Sequence, residues 1–362
     1  MEGINVAIIV LSLSFAWVLQ LIVFSPISPS PEIFLPDYIR EGPFAENNVL
    51  QSVEKLGKGL LKGPEDTAVD SKGLIYTATH DGWIKRMHAN GSWEDWKKIG
   101  GAPLGLTVAK SGHLIVCDAS TWTIMQGLLN VSDEGISVIV SEINGIKIRF
   151  ADAVVEGSDG SLYFSDASTK FGYDRWILDN LEAVPHGRLL KYDPTTKTTR
   201  LLLDGLGFAN GVALSPNEDY IAICETWKFR CLKHWIKGEK LGKTEILIEN
   251  LPGGPDNINL APDGRSYWIA LLKVRSRDLD IVYRSRLLRR IFATRTSMLK
   301  WLGFLNSGAM VLNVAEEDGK PQKILEDPSG KIMSFVTSAM QVGQYLYVGS
   351  LNTDFIGRLR LD

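Results

Sequence analysis

Six copies of one short pattern follow one another along the chain, and this repetition constrains the fold more than any other feature. Each copy has a short polar pair, an apolar alternation, a turn containing Gly or Asp, and then an apolar or aromatic strand. The copies occupy residues 63–76, 102–116, 149–164, 207–223, 253–269 and 334–348. A spacing of about 40 to 60 residues, stretched to about 80 before the last copy, is typical of four-stranded propeller blades.

One blade cannot bury both of its faces, whereas six blades around an axis leave only short exposed edges. The repeats therefore predict an all-β fold, a six-bladed β-propeller that covers residues 32–362. A pair of β-sandwiches is the alternative architecture. Helix-period sequence occurs in two places, which predict an apolar N-terminal helix and a helical insertion before the last blade, at about residues 275–302.

The N-terminal segment is almost uninterruptedly apolar from Val6 to Phe24 and then breaks into a linker rich in Pro and Ser. About nineteen apolar residues are just enough to cross a bilayer. Residues 1–31 are therefore expected to be an uncleaved signal-anchor or a cleaved signal peptide, with a buried helix as the third alternative. The first two place the rest of the chain in the secretory pathway, luminal or extracellular: in the endoplasmic reticulum, in a vacuole or anchored to a membrane.

Other features bear on the compartment and on partners. The triplets at Asn90 and Asn130 are candidate glycosylation sites. Cys224 and Cys231 flank a tight hairpin, and they are expected either to form a disulfide across it or to remain reduced thiols. The formal net charge of −3 gives no reason to expect a nucleic-acid partner.

The polar pair that opens each repeat is the candidate functional site. In a propeller the innermost strand of each blade lines the central tunnel, so the residues just before it surround one mouth. Alignment of the repeats gives a first ring position: Glu65, Leu104, Ala151, Asn210, Asp256 and Thr337. The second ring position reads Asp66, Gly105, Asp152, Gly211, Asn257 and Ser338.

Carboxylates and amides that converge on one axis repel one another or stay unsatisfied unless something binds between them. Oxygen ligands of this kind suit Ca²⁺. The predicted cage consists of Glu65, Asn210, Asp256 and Asn257. Asp66 and Asp152 are predicted to hold a second ion. The alternative is that these residues cap turns and satisfy backbone N–H groups.

Several of these stretches resemble plant strictosidine synthase-like proteins and the animal adipocyte plasma membrane-associated protein. The resemblance covers roughly residue 30 to the end, and it is carried by residues 63–66 (GPED), 208–211 (FANG), 224–230 (CETWKFR) and 255–257 (PDN). More distantly, the repeat starts resemble the calcium-dependent paraoxonases and gluconolactonases, which share the six-bladed fold.

The resemblance to strictosidine synthase implies a condensation of an amine with an aldehyde that depends on a glutamate in the last repeat. Thr337 occupies that position here, and a hydroxyl is no general base near neutral pH. True strictosidine synthase activity is therefore not expected. Glu225 is the candidate substitute acid, with a salt bridge to Arg230 as the alternative.

The paraoxonase-like branch implies hydrolysis of esters and lactones at a tunnel calcium whose ligand positions match the predicted cage. Ala151 replaces an asparagine ligand, and Leu104 replaces a histidine implicated in catalysis. The same resemblance implies a structural calcium at Asp66 and Asp152, with a carbonyl near Leu106. The histidines align with no ring position and are expected on the surface or in strands: His80, His88, His113, His186 and His234.

Three functions remain open at this point, and whether the protein is an enzyme is one of the questions. The first is a metal-dependent hydrolase of esters or lactones of small hydrophobic metabolites. The second is a non-catalytic binding or scaffold propeller of the endomembrane system. The third is amine–aldehyde condensation with a changed acid/base residue.

The insertion before the last repeat is basic. Arg284, Arg286, Arg289 and Arg290 cluster among apolar residues, and helical spacing gives an apolar stripe beside a cationic face. A helix over 278–301 is expected to be a lid over one end of the propeller or to lie on an anionic membrane. The two interpretations are compatible if the lid faces the bilayer that holds the N-terminal segment.

Overall fold

Six four-stranded antiparallel sheets follow one another along the chain, and within each the strands pair in sequence order from the axis outward. The computed structural model describes residues 12–13, 16–17, 19–31, 41–120, 125–272, 277–302 and 308–361. The innermost strands of neighbouring blades pack against one another around the whole circle. The six-bladed β-propeller predicted from the repeats is confirmed.

The first three blades consist of the following strands, from the axis outward. Blade one contains β2 to β5: Pro64–Val69, Ile75–Thr79, Trp83–Met87 and Trp93–Lys98. Blade two contains β6 to β9: Pro103–Val108, Leu114–Asp118, Gly127–Val131 and Ile136–Val140. A small hairpin, β10 (Glu142–Ile143) and β11 (Ile146–Lys147), leads to blade three. Blade three contains β12 to β15: Ala151–Glu156, Leu162–Asp166, Gly187–Asp193 and Thr198–Leu206.

The last three blades follow the same order. Blade four contains β16 to β19: Ala209–Leu214, Tyr220–Glu225, Arg230–Trp235 and Thr244–Ile248. Blade five contains β20 to β23: Gly254–Leu260, Ser266–Leu272, Ala309–Ala315 and Pro321–Asp327. Blade six contains β24 to β26: Val336–Val342, Tyr345–Ser350 and Ile356–Arg360.

A strand from the other end of the chain completes the sixth blade and closes the circle. β1 (Glu54–Leu56) pairs antiparallel with β26, with Lys55 opposite Gly357. The exposed Glu54 carboxylate accepts a hydrogen bond of 2.8 Å from Arg358 Nε across this pair. The propeller therefore closes through backbone hydrogen bonds between segments at the two ends of the chain.

Among the residues that the structure describes, the helices that follow β1 all lie in connections between strands. α1 (Trp176–Glu182) joins β13 to β14 after a 3₁₀ turn over Tyr173–Arg175. The insertion lies within blade five, between β21 and β22, and contains α2 (Arg277–Arg284), α3 (Arg286–Thr294) and a 3₁₀ segment over Thr296–Leu302. Further 3₁₀ turns lie over Gly42–Phe44, Val49–Ser52 and Thr226–Lys228.

The helix α1 is the element that the sequence pattern missed, since helices were predicted only at the N-terminus and in the insertion. Its seven residues form too few turns for a clear hydrophobic period. The single helix predicted over 278–301 is divided into α2, α3 and a 3₁₀ segment. The Ser285 hydroxyl begins α3 as an N-cap, since it accepts a hydrogen bond of 3.3 Å from Leu288 N.

Part of the predicted N-terminal helix lies outside the described residues, which omit 1–11, 14, 15 and 18. Residues 19–23 are helical, and residues 24–31 after them form a linker without a helix or strand. No helix within the described ranges is long and apolar enough to cross a membrane.

Cys224 and Cys231 form a disulfide, which was one of the two alternatives for this pair. They lie directly opposite each other on β17 and β18, and both are fully buried. The third cysteine, Cys117, is a buried free thiol in blade two.

The disulfide is expected to stabilise blade four. Replacing both cysteines by alanine should lower the free energy of unfolding by about 2–3 kcal/mol, the chain-entropy value for so short a loop. Urea denaturation of the parent and of the double variant measures this. Dithiothreitol should destabilise the parent and leave the variant unchanged, which separates the covalent bond from the lost packing of two sulfur atoms. Equal stability of the oxidised and reduced parent would contradict the prediction.

Candidate functional site

Each innermost strand breaks its hydrogen-bonded ladder at the polar pair that opens the repeat. In blades one to five the pairing register skips two residues, for example between Pro64 and Thr67 in β2 and between Ala209 and Val212 in β16. The sixth blade shifts between Val336 and Ser338. A bulge of this kind re-aims side chains, and here it turns them toward the propeller axis.

The common register of these bulges corrects the sequence alignment in blade three. Ala151 pairs with Asp166, as Ala209 pairs with Glu225 in blade four, so the ring residue is Asp152 and not Ala151. The alignment was one residue out of register there, because Phe-Ala-Asp and Phe-Ala-Asn were not superposed. The residues that line the mouth at this level are Glu65, Leu104, Asp152, Asn210, Asp256 and Thr337.

Three of these residues bring their carboxylates together. One oxygen atom each from Glu65, Asp152 and Asp256 lies within 4.8 Å of the other two, and all three side chains are buried. Three polar atoms of the ring have no hydrogen-bond partner: Glu65 Oε2, Asp152 Oδ2 and Asn210 Oδ1. Unpaired oxygen atoms of buried carboxylates are rare unless a ligand or an ion satisfies them.

The electrostatics of the cluster are those of buried like charges. Burial raises the pKa of Glu65, Asp152 and Asp256 well above the ordinary carboxyl range, and the neighbouring carboxylates raise each pKa further. Lys, Arg and His are absent from the described residues that line the mouth. A bound cation would remove this repulsion, and without one the cluster must retain protons.

The two acids predicted to hold a second ion, Asp66 and Asp152, line different cavities, and the Asp66 charge still raises the pKa of Asp152. Asp66 does not line the mouth but faces the channel that continues to the opposite end of the propeller, together with Asn257. Asp66 Oδ2 accepts a hydrogen bond of 3.1 Å from Leu106 N, and Oδ1 accepts one of 2.8 Å from Thr67 N. Burial raises the Asp66 pKa to about 6 despite these bonds.

Asn257 supports the cluster from below. Its Nδ2 donates a hydrogen bond of 3.0 Å to Glu65 Oε1, which leaves Glu65 Oε2 to face the mouth. The structure thus groups Asp152 with Glu65, Asn210 and Asp256 and places Asp66 and Asn257 one level deeper.

Above the carboxylates the mouth opens into a small pocket with a volume of about 50 Å³ and an apolar wall. Its aromatic rings pack on one another: the Phe208 and Trp227 ring centroids are 4.7 Å apart, and those of Phe150 and Phe208 are 5.1 Å apart. Among the described residues the apolar wall consists of Leu104, Phe150, Tyr173, Trp176, Phe208, Trp227, Leu272, Phe335 and Leu351.

The helix α1 holds part of this wall in place. Asp179 Oδ1 accepts a hydrogen bond of 3.0 Å from Trp227 Nε1, and Asp179 Oδ2 accepts one of 2.5 Å from Ser168. Burial raises the Asp179 pKa to about 7. Trp176, at the start of the same helix, stacks on Trp227 with an angle of 20° between the ring planes.

A tyrosine–histidine pair connects the pocket wall to the exterior. The Tyr173 hydroxyl lies 2.9 Å from His80 Nδ1, and the His80 side chain is exposed. Burial and the charges of Glu65, Asp152 and Asp256 raise the pKa of Tyr173, so its hydroxyl stays protonated. Sequence reasoning placed His80 on the surface, which is correct, but neither residue lies in a ring position, so no repeat pattern indicated the pair.

The candidate substitute acid is not part of the pocket. Glu225 is fully buried at the end of β17, where its carboxylate pairs with Arg230 at 2.5 Å and with Lys228 at 2.6 Å and accepts a hydrogen bond from Gly207 N. The salt bridge with Arg230 was the alternative interpretation. Thr337 donates a hydrogen bond to the Glu65 backbone carbonyl, and Leu104 contributes only apolar surface.

The two glycosylation candidates differ in accessibility. Asn90 is exposed in the turn between β4 and β5, where its Oδ1 accepts a hydrogen bond from Ser92. Asn130 lies within β8, half-buried, and its Oδ1 is 3.1 Å from His113 Nδ1. Asn90 is therefore the more accessible of the two candidate glycosylation sites.

Two family models match this chain. The strictosidine synthase family model matches residues 152–239, and the model of the strictosidine synthase-like N-terminal region matches residues 42–87. Strictosidine synthase-like protein 4 of Arabidopsis thaliana is 36% identical, with 94% of this chain and 91% of that protein covered. The adipocyte plasma membrane-associated protein of Mus musculus is 32% identical, with 93% and 85% covered.

Solved structures show the same fold at low identity. A gluconolactonase from Xanthomonas campestris superposes with a TM-score of 0.61 at 14% identity, over 94% of this chain and 99% of that one. A calcium-binding protein from Agrobacterium tumefaciens, regucalcin, superposes with a TM-score of 0.58 at 12% identity, over 85% and 93%. With its repeats, its ring of polar bulges and its relatives along nearly the whole length, this chain belongs to the strictosidine synthase-like family of six-bladed β-propellers.

Proposed function

We propose that the protein is a divalent-cation-dependent hydrolase of esters or lactones of small hydrophobic molecules, with Ca²⁺ as the cation. The observation that carries this proposal is the convergence of three buried carboxylates beneath an aromatic pocket without a basic side chain among its described lining residues. The fold shared with a gluconolactonase and with the calcium-binding regucalcin supports it.

The ring fits a hard cation by its donors. Carboxylate and amide oxygens are the ligands that Ca²⁺ prefers. The unpaired atoms Glu65 Oε2, Asp152 Oδ2 and Asn210 Oδ1, together with the Asp256 carboxylate, would hold it. A bound cation of this type supplies Lewis-acid polarisation of a carbonyl oxygen.

The pocket selects the substrate by shape and polarity. Its floor is anionic and its wall is aromatic, so a planar or apolar acyl or alcohol group packs against Phe208 and Trp227 while a carbonyl group faces the ring. A volume of about 50 Å³ limits the substrate to a small molecule.

Tyr173 is the proton donor in this proposal. Its hydroxyl is protonated and faces the pocket, so it can donate a proton to the alkoxide oxygen that leaves the acyl group. His80 Nδ1, 2.9 Å away and in contact with solvent, can return the proton.

A non-catalytic binding propeller is the second candidate function. The observation that favours it is Leu104 at a ring position, where the resemblance to paraoxonases implies a histidine. The same cation and the same aromatic pocket would then hold a ligand without turnover. Condensation of an amine with an aldehyde has less support, because Glu225 is engaged by Lys228 and Arg230.

The disulfide and the relatives support a location in the secretory pathway. A buried disulfide supports an oxidising environment, that of the secretory pathway. Similarity to a protein named for its association with the plasma membrane supports attachment to a membrane of that pathway.

The carboxylate cluster gives a prediction for stability. With chelator at neutral pH, Asp256→Asn should be more stable than the parent by about 1–3 kcal/mol, because the buried amide is neutral without a proton or a cation and repels no neighbouring carboxylate. Added Ca²⁺ should raise the melting temperature of the parent and not that of Asp256→Asn. The exposed Asp204→Asn is the matched control and should behave like the parent.

Asp66, one level below the cluster, fixes the sign of a pH effect. Because the folded-state pKa of Asp66 is raised to about 6, above an unfolded value of about 3.9, the folded state binds more protons in between. The contribution of this group is therefore fully present below about pH 4 and is lost as the pH rises through about 6. Cation-free Asp66→Asn should lack this loss of stability in urea titrations at stepped pH. Parallel profiles for variant and parent would contradict it.

Hydrolysis is tested with a panel of aryl esters and lactones, with Ca²⁺ and with chelator. Turnover should disappear with chelator and fall at least about a hundredfold in Asp256→Asn and in Asn210→Ala, since carbonyl polarisation is lost. Asp204→Asn should keep the parent rate. No turnover, combined with a Ca²⁺-dependent melting temperature, would reject the hydrolase and favour the binding propeller.

The role of Tyr173 is tested by the leaving group. Tyr173→Phe should lower kcat by about tenfold to a hundredfold for alkyl esters, with little change in KM, because an alkoxide needs a proton to leave. Aryl esters, whose leaving groups need no proton, should be affected much less. Tyr192→Phe, half-buried on β14, is the control. An equal loss for both ester classes would show that Tyr173 only supports the pocket.

A further inference from the structure

The linker that follows the apolar N-terminal segment is bound firmly to the helices beside the pocket. Ser28 N donates a hydrogen bond of 2.8 Å to Glu182 Oε1, and Ser30 N donates one of 2.9 Å to the Glu182 carbonyl, both on α1. Ile27 is buried in the same hydrophobic cluster as Leu178 and Leu181.

A buried arginine of the insertion holds the linker from the other side. Arg289 in α3 is fully buried, and its Nη2 donates hydrogen bonds of 2.7 Å to the Ser30 carbonyl and 3.2 Å to the Pro31 carbonyl. Arg286 Nε also donates to the Ser30 carbonyl, at 3.1 Å. The linker is therefore fixed to the propeller at Ser30 and Pro31.

The exposed surface next to this attachment is apolar and basic. Ile281 is 60% exposed, Leu287 46% and Met298 42%, although all three belong to the insertion. Residues 277–302 contain seven Arg or Lys and two Asp, in a chain whose net charge is −3. On the linker side the exposed apolar side chains are Leu13, Trp17, Leu19, Val23 and Phe24.

The mouth of the pocket lies beside the same helices. Trp176, Leu272, Phe335 and Leu351 line the pocket and pack with the hydrophobic cluster that contains insertion residues such as Tyr283. The opposite end of the propeller carries the turns between the third and fourth strands, including Leu241, which is 66% exposed.

We propose that the insertion and the N-terminal segment form one membrane-binding face, which lies on an anionic phospholipid bilayer and directs the mouth of the pocket toward it. Exposed apolar side chains beside an excess of arginine are what an interfacial helix presents to such a membrane. The apolar segment ends at Phe24, and the hydroxyl of the next residue, Ser25, donates a hydrogen bond to the Arg290 carbonyl of α3. A membrane that binds the apolar segment would therefore also lie close to the insertion. Substrates or ligands dissolved in the membrane would then reach the pocket without crossing water. This inference does not depend on hydrolysis.

The full chain, reconstituted on vesicles of phosphatidylcholine and phosphatidylserine, tests the orientation. Leu287→Cys and Leu241→Cys are labelled separately with an environment-sensitive fluorophore, and the buried Cys117 stays unlabelled in the folded protein. The same N-terminal segment tethers both variants to the vesicles. Nitroxide-labelled lipids should quench most of the fluorescence at position 287, on the proposed membrane face, and almost none at position 241, at the opposite end of the propeller. Equal quenching at the two positions, or none at 287, would overturn the proposal, and protection of 287 that requires a second protein copy would assign the face to an oligomer.

Two further variants separate orientation from tethering. Ile281→Ser combined with Met298→Ser, both on the surface, should reduce quenching at position 287 while the protein remains on the vesicles. Arg289→Lys, which keeps the charge but loses the paired contacts to Ser30 and Pro31, should equalise quenching at 287 and 241 with a melting temperature lowered by a few degrees at most. Unchanged quenching in both variants would show that the insertion does not contact lipid.

Discussion

Repulsion among buried carboxylates is the constraint on which the rest of the site depends. Glu65, Asp152 and Asp256 converge within 4.8 Å at a depth where water cannot screen them, and no described residue of the lining carries a compensating positive charge. Such an arrangement is unfavourable for folding unless protons or a cation neutralise it. The propeller tolerates it because each carboxylate belongs to a different blade, so the unfavourable energy is distributed over three separate sheets and opposed by the packing of all six.

The sheets direct these side chains through a repeated device. At the end of the second strand, a buried carboxylate accepts a hydrogen bond from the backbone just before the innermost strand: Asp118 from Ala102 N, Asp166 from Phe150 N and Glu225 from Gly207 N. The innermost strand then bulges at the next residues and rejoins the ladder. The start of the strand and the point of rejoining are fixed, so the ring side chain between them has one direction available, toward the axis.

The repeat pattern was sufficient to predict the architecture, because polar pairs, turn residues and strand alternation recur in every blade. It located five of the six first ring positions, and it assigned Asp152 to the second ring position because a bulge removes the alternation that would fix the register to one residue. The aromatic wall could not be read in the same way. Tyr173 and Trp176 come from a connection unique to blade three, and His80 meets Tyr173 from blade one. Contacts between non-repeating loops have no periodic signal in a single sequence.

Bulges also explain how one propeller can host different chemistries. A ring residue lies in the bulge, so its backbone takes no part in the ladder of hydrogen bonds. Leu104 and Thr337 therefore occupy ring positions without weakening a sheet. The residue after the ring is less free: a Cβ on Gly105 or Gly211 would come within 2.4 Å of the Asp152 or Asp256 carbonyl oxygen of the next blade. Close packing between neighbouring innermost strands therefore fixes where the ring lies, whereas its composition is open to change. In this chain three carboxylates and one amide define an anionic centre, and the remaining two positions extend the apolar wall or bond to the backbone.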